Sequence, residues 1–224
     1  MYEWFVFASA WLIPWFVLYV AKSNLRREML WVSAFTALTG FTEPLFVPAY
    51  WNPPSLFNLA STTRFDIESF IFTFAIGGIG SVLYETALNA KHERILAKER
   101  AERRWLHLAS LAMAPVVFVL LFLAGLNPIY CAAAAMLAGS VGAVACRPDL
   151  AKNTVMGGVL FTGLYFAFFL FINLLFPTFV TSWNLAALSG VLVVGVPLEE
   201  LMFAFTFGMF WSGVYEHVKR YTLQ

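Results

Sequence analysis

Apolar residues occur in long runs along the whole chain, and short polar stretches separate one run from the next. Each run has about the 20 residues that an α-helix needs to cross the hydrocarbon core of a bilayer. The first run lacks a basic leading region and a small-residue cleavage site, so we interpret it as a helix and not as a secretory signal. The pattern predicts seven membrane-spanning helices, at residues 3–21, 29–47, 66–88, 106–125, 128–146, 153–175 and 192–216.

The composition and the distribution of charge favour an all-α integral membrane protein. Of the 224 residues, 61% are hydrophobic and 12% are charged, which excludes an ordinary soluble domain. With seven spans, 13 of the 14 Lys and Arg residues fall on one side, and Arg64 is the exception. Because basic loops remain in the cytoplasm, we expect an outside N-terminus and a cytosolic C-terminus. The basic stretch "KHERILAKERAERR" is interpreted as a linker lying against anionic lipid and not as a nucleic-acid site.

An internal repeat relates the third predicted helix to the seventh. The stretch "DIESFIFTFAIGGIGSVLYE", which begins at Asp66, aligns without a gap with "PLEELMFAFTFGMFWSGVYE", which begins at Pro197. In this alignment, 7 of the 18 positions from Glu68 to Glu85 are identical. With one extra residue, Trp51 and its following Asn also fall on Trp183 and its following Asn. Matches of Glu, Gly, Ser and Tyr together exceed what a bias toward Phe would produce.

The repeat predicts how the chain is organised. We expect two parallel three-helix repeats, at residues 1–88 and 128–224, joined by residues 89–127, which hold the basic linker and a linker helix. Each repeat also contains a pair of small residues spaced by four, which lets helix backbones approach closely in lipid. These pairs are Gly77 with Ser81 and Gly208 with Ser212, and we expect helix 3 to pack on helix 7 across the pseudo-twofold axis that relates the repeats.

Acidic residues are rare in the apolar runs, and five of them fall toward the outer half of the predicted bundle. Their only nearby cation by sequence is Arg64, so we do not expect all five to be ionised together in a low-dielectric site. Phenylalanines one helical turn from the acids are candidates to line a site. The candidate acids are Glu43, Asp66, Glu68, Glu199 and Glu200, and the candidate aromatic residues are Phe72, Phe203 and Phe207.

Each acid also has a plain structural explanation. Asp66 can cap the start of helix 3, and Pro197 at the start of helix 7 puts Glu199 and Glu200 in the first turn, where the helix dipole favours negative charge. Glu43 could lie at a solvated edge, although its neighbours are apolar. Glu85 and Glu216, at the cytosolic helix ends, are expected to be ion-paired or solvated.

Two further features limit the interpretation. The stretch from Asn184 to Glu216 is too long for one straight span, so we expect a break near Gly195, with the apolar segment 185–196 covering the helix start. Cys131 and Cys146 lie at opposite ends of helix 5, too far apart for a disulfide, and neither belongs to a metal-ligand spacing. The sequence therefore predicts no metal site.

The "PLEE" start of the last helix, followed by a Phe-rich span in two parallel three-helix repeats, resembles the membrane-integral lycopene cyclase domain family. The resemblance implies an enzyme of the intramolecular lyase or isomerase type that cyclises a linear carotene end group without cofactor or net redox change. It implies that Glu199 and Glu200 are the motif acids, and Glu68 is the repeat equivalent of Glu199. An acid would protonate a double bond, a base would remove a proton, and aromatic faces would stabilise the cation while water is excluded.

The first repeat departs from this motif. It has Asp66 where Pro197 stands and Ser69 where Glu200 stands, so the two halves are chemically unequal. The aromatic residues that usually follow the acid pair in the family are replaced here by leucine and methionine. A divergent hydrophobic substrate therefore stays open.

Other functions fit less well or remain open. An intramembrane protease with paired glutamates needs a histidine near the acids, yet His92, His107 and His217 all lie at cytosolic ends. A polyprenyl transferase would need an Asp-rich magnesium motif, which the sequence lacks. A non-catalytic lipid- or carotenoid-binding scaffold, or a proton-coupled carrier, remains an alternative. The expected partners are a hydrophobic isoprenoid substrate and the bilayer, with a homo-oligomer left open and no nucleic acid.

Overall fold

The fold is all-α with a few short strands. A computed structural model describes residues 2–90, 92–94, 104–219 and 221–223. The α-helices in this part are α1 (Glu3–Ala10), α2 (Leu12–Ala21), α3 (Arg26–Ala37), α4 (Glu43–Phe46), α5 (Leu59–Thr63), α6 (Ile67–Leu88), α7 (Arg104–Leu123), α8 (Pro128–Cys146), α9 (Ala151–Leu175) and α10 (Leu198–Lys219). The strands are β1 (His92–Arg94), β2 (Leu192–Val193), β3 (Val196–Pro197) and β4 (Tyr221–Leu223), with β1 antiparallel to β4 and β2 antiparallel to β3.

Five helical stretches in the described part are long and apolar enough to cross a membrane, and the chain is a membrane protein. They are Glu3–Ala21, Ile67–Leu88, Trp105–Leu123, Pro128–Cys146 and Pro148–Leu175. Seven spans and the repeat arrangement stay predictions. The predicted span at 29–47 is not one continuous helix, because α3 passes into a 3₁₀ segment, Leu38–Thr42, before α4. Most of the basic linker at residues 91–104 lies outside the described residues.

The last apolar run begins as a hairpin and not as a helix. Strands β2 and β3 are joined by Val194 and Gly195, which both have positive φ, as a two-residue hairpin turn of type I′ requires. The Asn173 side chain donates a hydrogen bond to the carbonyl of Gly195 at 3.1 Å. Helix α10 then begins at Leu198. The predicted break near Gly195 is therefore confirmed, and Glu199 and Glu200 lie in the first turn of α10.

Side-chain caps explain where two of the long helices begin. Asp66 precedes α6, and its carboxylate accepts the backbone N–H of Ser69 at 2.5 Å, which is the N-cap geometry predicted from the sequence. Asn127 precedes α8 and accepts the N–H of Ile129 at 3.2 Å, while Pro128 occupies the first helical position. Both starts are fixed by local sequence.

The paired small residues of the repeat contact other helices than the sequence predicted. A Cβ at Gly77 would meet the Thr36 hydroxyl at 2.0 Å, so this glycine lets α3 approach α6. A Cβ at Gly208 would meet the carbonyl oxygen of Gly157 at 2.6 Å, so that glycine lets α9 approach α10. The predicted packing of helix 3 on helix 7 is present, because a Cβ at Gly80 on α6 would lie 3.2 Å from the ring of Phe207 on α10. Gly77 and Gly208 do not form this contact, since Gly77 faces α3 and Gly208 faces α9.

The chain divides into two compact units. The first unit contains Met1–Ile79, Asn127–Ile129 and Leu164–Leu201, and the second contains Gly80–Leu126, Tyr130–Gly163 and Met202–Gln224. The first unit has an aromatic core and includes all five candidate acids. In the second unit α9 packs closely on α10. The division at residues 1–88, 89–127 and 128–224 stays a prediction.

Candidate active site

All five candidate acids belong to the first unit, and all are buried. Each exposes 8% or less of its surface, although carboxylates are almost never fully buried unless they are paired or hydrogen-bonded. Arg64, the cation nearest to them in sequence, is exposed. Their hydrogen-bond partners therefore decide what each acid can do, and these partners differ among the five.

Glu200 is held by three aromatic side chains. The Tyr165 hydroxyl donates to its Oε2 at 2.5 Å, and the Trp183 indole nitrogen donates to its Oε1 at 2.7 Å. The Tyr50 hydroxyl donates to the same Oε1, and the Trp183 N–H is shared with the Tyr50 oxygen at 2.9 Å. These donors come from a loop, from α9 and from the segment before the hairpin, so three separate parts of the chain meet at one carboxylate.

Tyr50 is suited to remain a hydrogen-bond donor. Its side chain is buried, and burial together with the neighbouring Glu200 carboxylate raises the pKa of its hydroxyl well above the ordinary value. The hydroxyl group therefore stays protonated and donates a hydrogen bond to Glu200.

Glu43 has a different environment. Its Oε1 accepts the indole N–H of Trp51 at 2.8 Å, so it is not at the solvated edge that the sequence allowed. The Asp66 carboxylate is close enough to Glu43 for the charges of the two groups to interact. Glu43 thus lies beside a second carboxylate, whereas Glu200 is surrounded by aromatic donors.

Trp51 and Trp183 join these two carboxylates into one arrangement. The two residues form an antiparallel β-bridge, and their ring centroids are 5.4 Å apart. On either side of the bridge, the N–H of Asn52 donates to Ser182 at 2.8 Å, and the N–H of Asn184 donates to Tyr50 at 2.9 Å. One indole then donates to Glu43 and the other donates to Glu200.

Glu68 and Glu199 each tie a loop to the helix that follows it. Glu68 accepts the backbone N–H of Leu56 at 2.6 Å, and Glu199 accepts that of Ser189 at 2.8 Å. The two glutamates are equivalent in the predicted repeat, and they make equivalent contacts. Asp66 caps α6 and also accepts the Trp4 indole N–H at 3.3 Å.

The candidate aromatic residues separate into two groups. Phe72 lies in the first unit, where its ring is 5.7 Å from Phe7 and 6.3 Å from Tyr165. Phe203 and Phe207 belong to the second unit and lie 5.4 Å from each other. The rings near Phe72 and Trp183 form a buried group in the first unit, hereafter the aromatic group, which comprises Trp4, Phe7, Trp11, Phe72, Tyr165, Phe169, Phe179 and Trp183.

Burial contradicts part of the sequence interpretation of Glu85 and Glu216. Both residues belong to the second unit and are buried, with 2% and 0% exposure. Solvation therefore does not explain them. The burial follows from their position on the inner faces of α6 and α10, which the adjacent basic residues obscured in the sequence.

Sequence reasoning missed the partners of the acids. Tyr50, Tyr165, Trp51 and Trp183 were not predicted as site residues. Two signals were present: Trp51 and Trp183 match in the repeat alignment, and Tyr165 places a hydroxyl inside an otherwise apolar run. The long-range contacts to Glu200, across 150 residues for Tyr50, have no local sequence signature.

Comparison with known families gives a match in the second half of the chain. The sequence model of the lycopene cyclase family matches residues 127–218, which include Tyr165, Trp183, Glu199 and Glu200. No curated protein and no solved structure matches the chain. The resemblance to the lycopene cyclase domain family is confirmed over this range, and that family belongs to carotenoid biosynthesis.

Proposed function

Since residues 127–218 match the lycopene cyclase family, we propose that this membrane protein closes a ring at the end group of a linear carotene. The observation that carries the proposal is the Glu200 carboxylate, buried among aromatic rings and held by Tyr50, Tyr165 and Trp183. A buried acid with fixed donors on both oxygens is suited to exchange a proton with an apolar substrate.

The reaction needs one proton donor and one proton acceptor. The donor protonates the terminal double bond, so that a C–H bond forms and a tertiary cation appears. The neighbouring internal double bond attacks this cation and closes the ring. Ring closure leaves the positive charge on the other carbon of that internal double bond, and loss of a proton from a carbon next to it forms a new double bond. The product is therefore an isomer of the substrate, and no oxidant or reductant is used. No cofactor is needed for this balance.

We assign the two proton-transfer roles to Glu43 and Glu200. Three donated hydrogen bonds suit the ionised form of Glu200, which is the form that accepts a proton. Glu43 accepts a hydrogen bond from Trp51 and lies beside Asp66, which suits a carboxyl group that carries its proton. Glu68, Asp66 and Glu199 would position the loops and helices that carry these two groups.

The rings of the aromatic group would stabilise the carbocation formed in this reaction. Ring faces attract a positive charge, by about 2 kcal/mol or more where water is excluded. Phe72, Tyr165 and Trp183 are all buried in the first unit. Exclusion of water also prevents a hydroxyl group from adding to the cation in place of ring closure.

The membrane arrangement remains part of the proposal. We propose seven spans in two parallel three-helix repeats, with the N-terminus outside and the C-terminus in the cytosol, as the distribution of Lys and Arg indicates. The substrate would reach the acids from the hydrocarbon phase.

Expression in cells that accumulate linear carotenes tests the activity. The wild-type chain should convert the pigment to a cyclic product, which chromatography and absorption spectra detect. Glu200→Gln should reduce the conversion about 100-fold or more, because the amide keeps the shape of the side chain but exchanges no proton. Asp149→Asn, an exposed change in the same matched range, is the control. An unchanged pigment across several linear carotenes, with the protein present in the membrane, would exclude the cyclase and favour the scaffold or carrier.

A further inference from the structure

Three potential metal ligands from three different helices meet in the second unit. His107 lies on α7, Cys146 is the last residue of α8, and His217 lies near the end of α10. One ligand atom from each lies within 4.8 Å of the others. Ligand atoms around a tetrahedral zinc ion with Zn–N of about 2.0 Å and Zn–S of about 2.3 Å are about 3.3 to 3.6 Å apart, so small side-chain movements would complete the geometry.

A hydrogen bond to Ser110 holds the ring of His217 in this cluster. The Ser110 hydroxyl lies 2.9 Å from the carbonyl oxygen of His107. The Ser110 oxygen also lies 2.8 Å from Nε2 of His217, and the ring tautomer decides which of these two groups donates. In the tautomer that carries its proton on Nε2, the lone pair lies on Nδ1, and a hydrogen bond of this kind on the opposite nitrogen is what orients metal-binding histidines.

Burial and ligand type indicate the kind of metal. Cys146 exposes 5% of its surface and His217 exposes 2%, while His107 is half-buried. One thiolate and two imidazoles are the ligands that Zn²⁺ prefers over harder cations such as Mg²⁺ and Ca²⁺. The half-buried side at His107 leaves access for a water molecule as the fourth ligand.

We propose that His107, Cys146 and His217 bind one Zn²⁺ ion, which joins the ends of α7, α8 and α10. The three ligands lie far apart in the sequence, so no short metal-binding motif indicates the site. The proposal is independent of the cyclase function, because its evidence lies in the second unit and its test does not use activity. A zinc ion here would restrain three helices at one point.

Metal content of the purified full-length chain tests the site. After equilibration with Zn²⁺ and removal of free metal, the wild-type chain should retain about one zinc per chain. Cys146→Ser should lose most of this zinc. Cys131→Ser is the matched control, because Cys131 lies in the same helix, is also buried, and is outside the cluster. Equal zinc content in the two variants, or almost none in the wild-type chain, would overturn the proposal.

A second measurement does not depend on the folding of a Cys146 variant. In the Cys131→Ser chain, Cys146 is the remaining thiol, and bound zinc should slow its alkylation about tenfold or more relative to chelator-treated protein. Replacement of zinc by Co²⁺ should also give a thiolate-to-cobalt charge-transfer absorption. An alkylation rate that zinc does not change would contradict the site.

Discussion

Trp51 and Trp183 lie opposite each other in a β-bridge, with their rings tilted by 39° and their centroids 5.4 Å apart, and each donates its indole N–H to a different buried glutamate. The paired indoles thus fix both carboxylates to which we assign proton transfer. Because one short stretch of paired backbone carries both rings, the positions of Glu43 and Glu200 depend on each other.

Replacement of either indole tests this coupling. Trp51→Phe and Trp183→Phe keep an aromatic ring but remove the N–H that holds Glu43 or Glu200. A hydrogen bond to a charged group contributes about 1.5 to 3 kcal/mol, so Trp183→Phe should lose about tenfold or more of the carotene conversion. A hydrogen bond to a neutral carboxyl group contributes about 0.5 to 1.5 kcal/mol, so Trp51→Phe should lose about threefold or more. Trp105→Phe, at a position that is 78% exposed, is the control. Full activity of Trp51→Phe would remove Glu43 from the mechanism.

The two adjacent glutamates of α10 should respond differently to the same change. Glu199→Gln retains a carbonyl oxygen that can accept the N–H of Ser189, so we expect conversion within about threefold of wild type. Glu200→Gln removes the carboxylate that accepts the proton and should reduce conversion about 100-fold or more. The measurement is product per unit of membrane protein in the same cells. Loss of activity in Glu199→Gln, with normal protein level and melting temperature, would show that the acid roles are assigned to the wrong residue.

Tyr50 and Tyr165 hold opposite oxygens of Glu200, so their effects should not be additive. Tyr50→Phe and Tyr165→Phe each remove one donor and should each lower the conversion rate about tenfold. Because both act through one carboxylate, the double variant should lose clearly less than the product of the two single losses. Tyr2→Phe, at an exposed position, is the control. Strictly multiplicative losses would mean that the two hydroxyls act on separate groups.

The close packing of α9 on α10 predicts a difference between two glycines. A Cβ at Gly208 would lie 2.6 Å from the backbone oxygen of Gly157, whereas a Cβ at Gly163 would have no neighbour within 4 Å. Gly208→Ala should therefore cost about 1 to 3 kcal/mol of stability, and Gly163→Ala should gain up to about 1 kcal/mol from its higher helix propensity. Thermal unfolding in one detergent, followed by tryptophan fluorescence, measures both. Equal melting temperatures would contradict the packing.

The sequence predicted what depends on local signals. Apolar length located the long helices, Asp66 marked the start of α6, and Gly195 with Pro197 marked the break before α10. The sequence did not predict that Gly77 contacts α3 and that Gly208 contacts α9. The spacing of residues along one helix does not determine which neighbouring helix a glycine will contact. The donors to Glu200 were missed because Tyr50 lies 150 residues away, and only the tertiary fold brings it there.

The unequal halves of the chain have a consequence for how a long substrate is handled. Ser69 occupies the position in the first repeat that Glu200 occupies in the second, so the carboxylate held by two tyrosines and a tryptophan has no counterpart at that position of the first repeat. A linear carotene has two ends of the same kind, and one such centre can receive only one end at a time. A molecule ringed at both ends would therefore have to withdraw, reverse its direction in the bilayer and return, and the singly ringed intermediate would pass through the lipid where another enzyme can take it.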